Sequence, residues 1–162
     1  MYTNFNLLPD TSRIWIYQAD RILTDAEVKE INTDAKSFVE QWTAHQQTLM
    51  AGFEIFHNIF LVLAVDENHN DASGCSIDKS VHFIKAIEKK FNLNLFNRLN
   101  VVYDDGAAKN ISHFSKLKTL LAENKIADSI KVFNNTITTK NELNENWLVN
   151  IKESWVGAKV GL

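Results

Sequence analysis

The chain has 162 residues, 45% of them hydrophobic and 23% charged, with a net charge of −3 and a pI near 5.9. That is enough chain and enough apolar material for one folded domain with a real core, and it excludes disorder as the main theme. Acids and bases are interspersed and the longest basic cluster is Lys89-Lys90, so no broad phosphate-binding footprint exists and nucleic acid is not an expected partner.

The N-terminus, MYTNFNLLPD, lacks the basic start and apolar core of a signal peptide, and the strongest apolar run, residues 59–65, is too short to span a bilayer. A single cysteine makes no internal disulfide. The expectation is a soluble, cytoplasmic protein with no membrane segment.

The first element is Arg13-Ile-Trp-Ile-Tyr-Gln, β-branched and aromatic, a strand. Thr24-Asp-Ala-Glu27 then forms a capping box, with Leu23 and Val28 at the two staple positions. Val28, Ile31, Ala35, Phe38, Val39 and Trp42 follow at helical spacing, so the first helix should end near Trp42. Residues 48–56 and 59–65 read as two strands joined by a two-residue turn at His57-Asn58. That count places Leu49 across from Asp66.

A small-residue loop containing Cys75 leads to a second helix, with Ile77, Val81, Ile84, Ile87 and Phe91 as its apolar stripe and Ser76 or Asp78 as its N-cap. Residues 99–103 read as a fourth strand closed by Asp104-Asp105-Gly106. The order β-α-β-β-α-β is that of a ferredoxin-like core, covering residues 13–105. It places the fourth strand beside the first, with Val101 near Ile16.

Residues 112–124 follow as a short helix, residues 130–138 as a strand, and Thr139-Lys-Asn-Glu142 as another capping box. Leu143, Trp147, Ile151 and Trp155 fit a helix whereas Trp147, Val149 and Ile151 fit a strand, and both assignments stay open. No linker composition separates the parts. Residues 1–162 are expected to form a single α+β domain in which residues 106–162 are a C-terminal extension packed on the core.

The segments WIYQADR (15–21), WTAH (42–45) and SGCSID (73–78) resemble a family of small uncharacterised bacterial proteins, over nearly the whole chain. Similar sequences are sometimes labelled ABC transporter ATPases. A Walker A loop needs Gly, four residues, then Gly-Lys-Ser or Gly-Lys-Thr to cradle phosphate and bind magnesium. Glycines 52, 74, 106, 157 and 161 offer no such spacing, so the resemblance implies membership without mechanism.

A ferredoxin-like sheet would gather Arg13, His45, Asp66, Glu67, the Cys75 loop and Asp104-Asp105 at one edge. There a catalytic trio is conceivable: Cys75 as nucleophile, activated by the following helix and by His45 as base, with Asp66 orienting the imidazole. This would suit acyl or phosphoryl transfer or hydrolysis. A lone cysteine in such a loop is more often a buried packing residue, and burial is the expectation for Cys75.

The same loop offers a ligand site for a small anion, with Ser73, Gly74 and Ser76 presenting amides and hydroxyls and Arg13 supplying charge. The plain alternative is that the serines only cap the helix. His45, Asp66, Glu67, His69 and Cys75 include metal donors, but no CxxC or HxxxH pair occurs, and no metal or other cofactor is expected. The functional expectation is a binding or regulatory module taking a small anionic ligand or a protein partner, homodimerisation included, with the cysteine-dependent enzyme as its alternative.

Overall fold

The computed structural model describes all 162 residues. They form two compact units, Met1–Phe96 with Thr138–Asn141, and Asn97–Ile137 with Glu142–Leu162. The first contains β1 (Arg13–Gln18), α1 (Asp25–Gln41), a minimal hairpin of β2 (Thr43–Ala44) and β3 (Gln47–Thr48), then β4 (Ala51–Phe56), β5 (Phe60–Val65) and α2 (Gly74–Phe91).

The local signals act as the residues require. In α1, Thr24 accepts from the Glu27 amide while the Glu27 carboxylate accepts from the Thr24 amide, completing the capping box. The helix stops at Gln41 with Trp42 as its C-cap. Ile31, Ala35 and Val39 form its buried stripe, joined in one core by Trp42, Leu61, Leu63, Val65, Ile84 and Ile87. In α2 the N-cap is Ser73, three or more residues earlier than expected. Its buried face runs Ser76, Ser80, Ile84, Ile87, so two serines stand where Ile77 and Val81 were expected. Their hydroxyls are satisfied locally, Ser76 donating to Ser73 O (2.7 Å) and Ser80 to Ile77 O (2.6 Å), which makes small polar residues tolerable inside.

The sheet order is β1-β5-β4, antiparallel throughout, with Ile16 opposite Val62 and Ala51 opposite Val65. His57 and Asn58 both take positive φ, 56° and 55°, and Phe56 O accepts from Ile59 N at 3.0 Å, as a primed two-residue turn requires. Ile59 is nevertheless an extra residue, because the ladder resumes at Phe56 opposite Phe60. Its carbonyl turns outward to accept from Ala19 N at 2.8 Å. The register moves by one, and Asp66 lies across from Met50, whose carbonyl accepts its amide (2.9 Å), rather than from Leu49.

The ferredoxin-like expectation needs correction at its fourth strand. That strand does not join β1. The place beside the start of β1 is taken by Thr138–Asn141: Ile14 N donates to Thr138 O, Arg13 bridges Thr139, and Lys140 N donates to Ser12 O. Lys140 itself is buried, its ammonium donating to Asn6 O (3.1 Å) and Leu8 O (2.6 Å).

The fourth strand is β6 (Asn100–Asp104), in the second unit, where it pairs with β7 (Lys109–His113) on one side and β8 (Lys131–Phe133) on the other. The β6–β7 hairpin closes over a tight turn in which the Asp105 carboxylate accepts from the amides of Ala107 and Ala108 (both 2.9 Å). Closing so short a loop costs far less entropy than bringing β6 back to β1. α3 (Phe114–Ala122) follows, N-capped by the His113 ring. Then come α4 (Lys140–Glu145), β9 (Leu148–Asn150) beside β8, and α5 (Trp155–Val160). The C-terminal segment thus uses both periodicities in succession, strand through Val149 and helix from Trp155. The protein is mixed α and β with antiparallel sheets, and no helix is long and apolar enough to cross a membrane.

Candidate functional site

The residues singled out at the sheet edge lie in the first unit, apart from Asp104 and Asp105, which belong to the β6–β7 turn of the second. Cys75 sits in the first turn of α2 and is exposed, so the expectation of a buried packing residue does not hold. The reason is the helix phase: Ser76 faces inward, which turns its neighbour outward. His45 occupies the tip of the β2–β3 hairpin, exposed and at φ 49°. No hydrogen bond joins it to Cys75 or to Asp66.

Asp66, 5% exposed, is held by other groups. Its Oδ1 accepts from the Asn68 amide (3.1 Å) and from Asn68 Nδ2 (2.8 Å), and its Oδ2 lies 3.7 Å from His69 Nε2. Asp66 therefore shapes the loop after β5, and the histidine beside it is His69 rather than His45. The short sequence distance between these two residues, three positions, was the signal available for that pair.

The proposed anion cradle is also engaged. Ser73 Oγ accepts from Ser76 N at 3.2 Å, the ordinary work of an N-cap, while Gly74 stands exposed with open space where a Cβ would be. Arg13 pairs with Glu67 at 3.5 Å and Glu67 Oε1 also accepts from Ala72 N at 3.2 Å. The chain's own carboxylate thus takes both the guanidinium and the loop amide that an external anion would use. No group of three or more His, Cys, Asp or Glu residues is placed to hold a metal ion.

What stays open is a groove between α1 and α2 of about 320 Å³, lined by Ser37, Phe38, Gln41, Phe83, Ala86 and Ile87, with Asp34 and Lys90 at its polar margin. Its floor is the stacked pair Phe38 and Phe83, centroids 4.5 Å apart and planes within 2°. Trp42 fixes the two helices behind it, its Nε1 donating to Ser76 O across the core at 2.8 Å. Lys90 bridges Glu30 and Asp34 of α1, both at 2.7 Å, and Arg21 ties Glu27 to the carbonyl of Phe91 at the far end of α2. Sequence reasoning missed this groove because Phe38 read as a core position of α1 and Phe83 fell outside the apolar stripe assigned to α2.

Compared with known family models, curated proteins and solved structures, the chain matches none.

Proposed function

We propose that the chain is a non-catalytic binding module whose contact surface is the α1–α2 groove, and that its partner is a protein inserting an apolar side chain between Phe38, Phe83 and Ile87. The reading rests on one observation: the groups that catalysis at Cys75 would need are engaged elsewhere or stand apart. Asp66 serves Asn68 and His69, Ser73 caps α2, Glu67 fills the Arg13 site, and His45 has no hydrogen bond to the thiol. An open aromatic floor with polar margins is the surface type that anchors a partner's side chain. A small anionic ligand is the weaker choice of partner, since Glu67 already neutralises Arg13.

A cysteine-dependent enzyme is the second reading, favoured by the exposure of Cys75 in the first turn of a long helix. Immobilised wild type, Ala86→Arg and Cys75→Ala proteins separate the two. Ala86 is exposed at the groove, so the arginine blocks it without disturbing the core. A partner retained by Cys75→Ala and lost by Ala86→Arg supports the module. Turnover of an activated ester that disappears in Cys75→Ala and in His45→Ala overturns it.

A further inference from the structure

The sheet of the first unit ends in β4, and that edge is covered along only part of its length. Ala51 uses both of its outward groups: its amide donates to Met1 O (3.2 Å) and its carbonyl accepts from Thr3 N (2.8 Å), so residues 1–3 already lie against it as a short parallel strand. Backbone groups alternate sides along a strand, so Phe53 and Ile55 point their amides and carbonyls the same way as Ala51. The even-numbered residues turn toward β5, as the bonds of Met50 O to Asp66 N and of Phe56 O to Ile59 N confirm. No backbone hydrogen bond reaches the outward groups of Phe53 or Ile55. Beyond Thr3 the chain leaves the edge and crosses the sheet at Gly52, where a Cβ would meet Thr3 O at 2.7 Å and Leu8 Cδ1 at 3.0 Å. From there it runs over the sheet face, Phe5 meeting Phe56 edge-to-face at 5.6 Å, without a backbone hydrogen bond to Phe53 or Ile55.

We propose that this open half of the β4 edge is a peptide-binding site, taking an extended acidic segment as an added strand parallel to β4 in line with residues 1–3. Strand addition at a sheet edge draws affinity from main-chain hydrogen bonds and selectivity from alternate side chains. The N-terminal residues show that this edge accepts a parallel strand.

Charge sets the preference. Lys36 of α1 reaches over the ring of Tyr2 at 5.5 Å, so α1 overhangs the edge, and Lys29 and Thr33 continue the same helix face. Lys29 and Lys36 belong to none of the chain's ion pairs, while Glu30 and Asp34 are committed to Lys90. Glu40, one turn further on, lies within electrostatic reach of the Met1 ammonium. On the other face of the sheet stands the half-buried Glu54. An alternating peptide with acids toward α1 and uncharged residues toward Glu54 meets both conditions. The proposal deepens the binding-module reading by giving it a second contact surface on the opposite flank of α1.

Amide exchange on the full chain tests it, with a short capped peptide alternating Val and Glu as probe. Without peptide, the amides of Phe53 and Ile55 should exchange fast while that of Glu54 is protected. The peptide should slow exchange at Phe53 and Ile55 by about tenfold or more. A Val and Lys peptide should bind about tenfold more weakly, and N-methylation of the peptide amides facing β4 should abolish the effect. Ile55→Pro removes one outward donor without touching the ladder to β5 and should weaken binding. Ala86→Arg should leave peptide binding unchanged, which separates failure here from failure of the groove. Protection of Phe53 and Ile55 in the free chain, no response to the acidic peptide, or equal binding of the basic one would overturn the proposal.

Discussion

Trp42 does two jobs with one side chain: its rings are 1% exposed in the core against Trp15 and Phe38, and its indole N–H donates to Ser76 O. Truncation to alanine should cost about 3–5 kcal/mol. Trp42→Phe keeps much of the volume and removes the second donor to Ser76 O, which retains its helical bond from Ser80 N, so it should cost about 0.5–1.5 kcal/mol. Urea unfolding followed at two probes measures both, and a Trp42→Phe variant as stable as wild type would mean that the hydrogen bond carries no weight.

Glu27 is the second residue whose surroundings set its chemistry. The Arg21 guanidinium first, and then the Thr24 amide, hold its carboxyl down from 4.5 to about 2. A depressed acid stabilises the fold above its unfolded value and loses that contribution as pH falls through the folded one. Glu27→Gln should therefore lower stability at neutral pH, with the gap to wild type closing between about pH 4.5 and pH 2. A gap that stays constant through that window would remove Arg21 and Thr24 as the cause.

At the scale of elements, α1 and the strand type of β4 and β5 were legible because short-range chemistry decides them: a capping box, a staple, a helical stripe and two turn residues able to adopt positive φ. Register was less legible. Ile59 looks like the first residue of a strand, and only its bond to Ala19 N makes it an extra residue that shifts the pairing by one. β7 escaped notice because Lys109-Asn-Ile-Ser-His is polar at nearly every position, as an edge strand permits. The buried face of α2 was misplaced because Ser76 and Ser80 carry no apolar signal, although their hydroxyls bond within the helix.

Gly52 belongs to this scale as well, since it lets residues 3–8 cross the sheet face in contact with β4. A methyl there meets backbone atoms of Thr3 and Phe5 that cannot yield like a flexible side chain. Gly52→Ala should destabilise by about 1–3 kcal/mol as an overpacked site, and exchange at the Thr3 amide should rise more than at any amide of β5. An unchanged Thr3 amide would show that the segment does not depend on this close approach.

For the whole molecule, the main helices and strands through residue 104 and the neighbours β1-β5-β4 were readable, while the partners of β6 were not. Hydrophobic pattern specifies that a strand exists and which face is buried. It does not distinguish β1 from β7 and β8 as neighbours of β6. Hairpin closure over residues 105–108 accounts for β7, β8 takes the other side of β6, and Thr138–Asn141 fills the place beside β1. The candidate catalytic edge depended on that unread pairing. Once β6 lies in the second unit, Asp104 and Asp105 leave the edge, and once the register shifts, Asp66 turns to its own loop.

The central claim is that Cys75, His45 and Asp66 are not a working unit, and the rate of iodoacetamide alkylation of native protein across pH measures it most directly. The account predicts that Cys75, being exposed, is labelled without denaturant, and that His45→Ala and Asp66→Asn leave the whole rate profile where wild type has it. A thiol that labels only after unfolding, or a profile displaced to higher pH by His45→Ala and in smaller degree by Asp66→Asn, would contradict it.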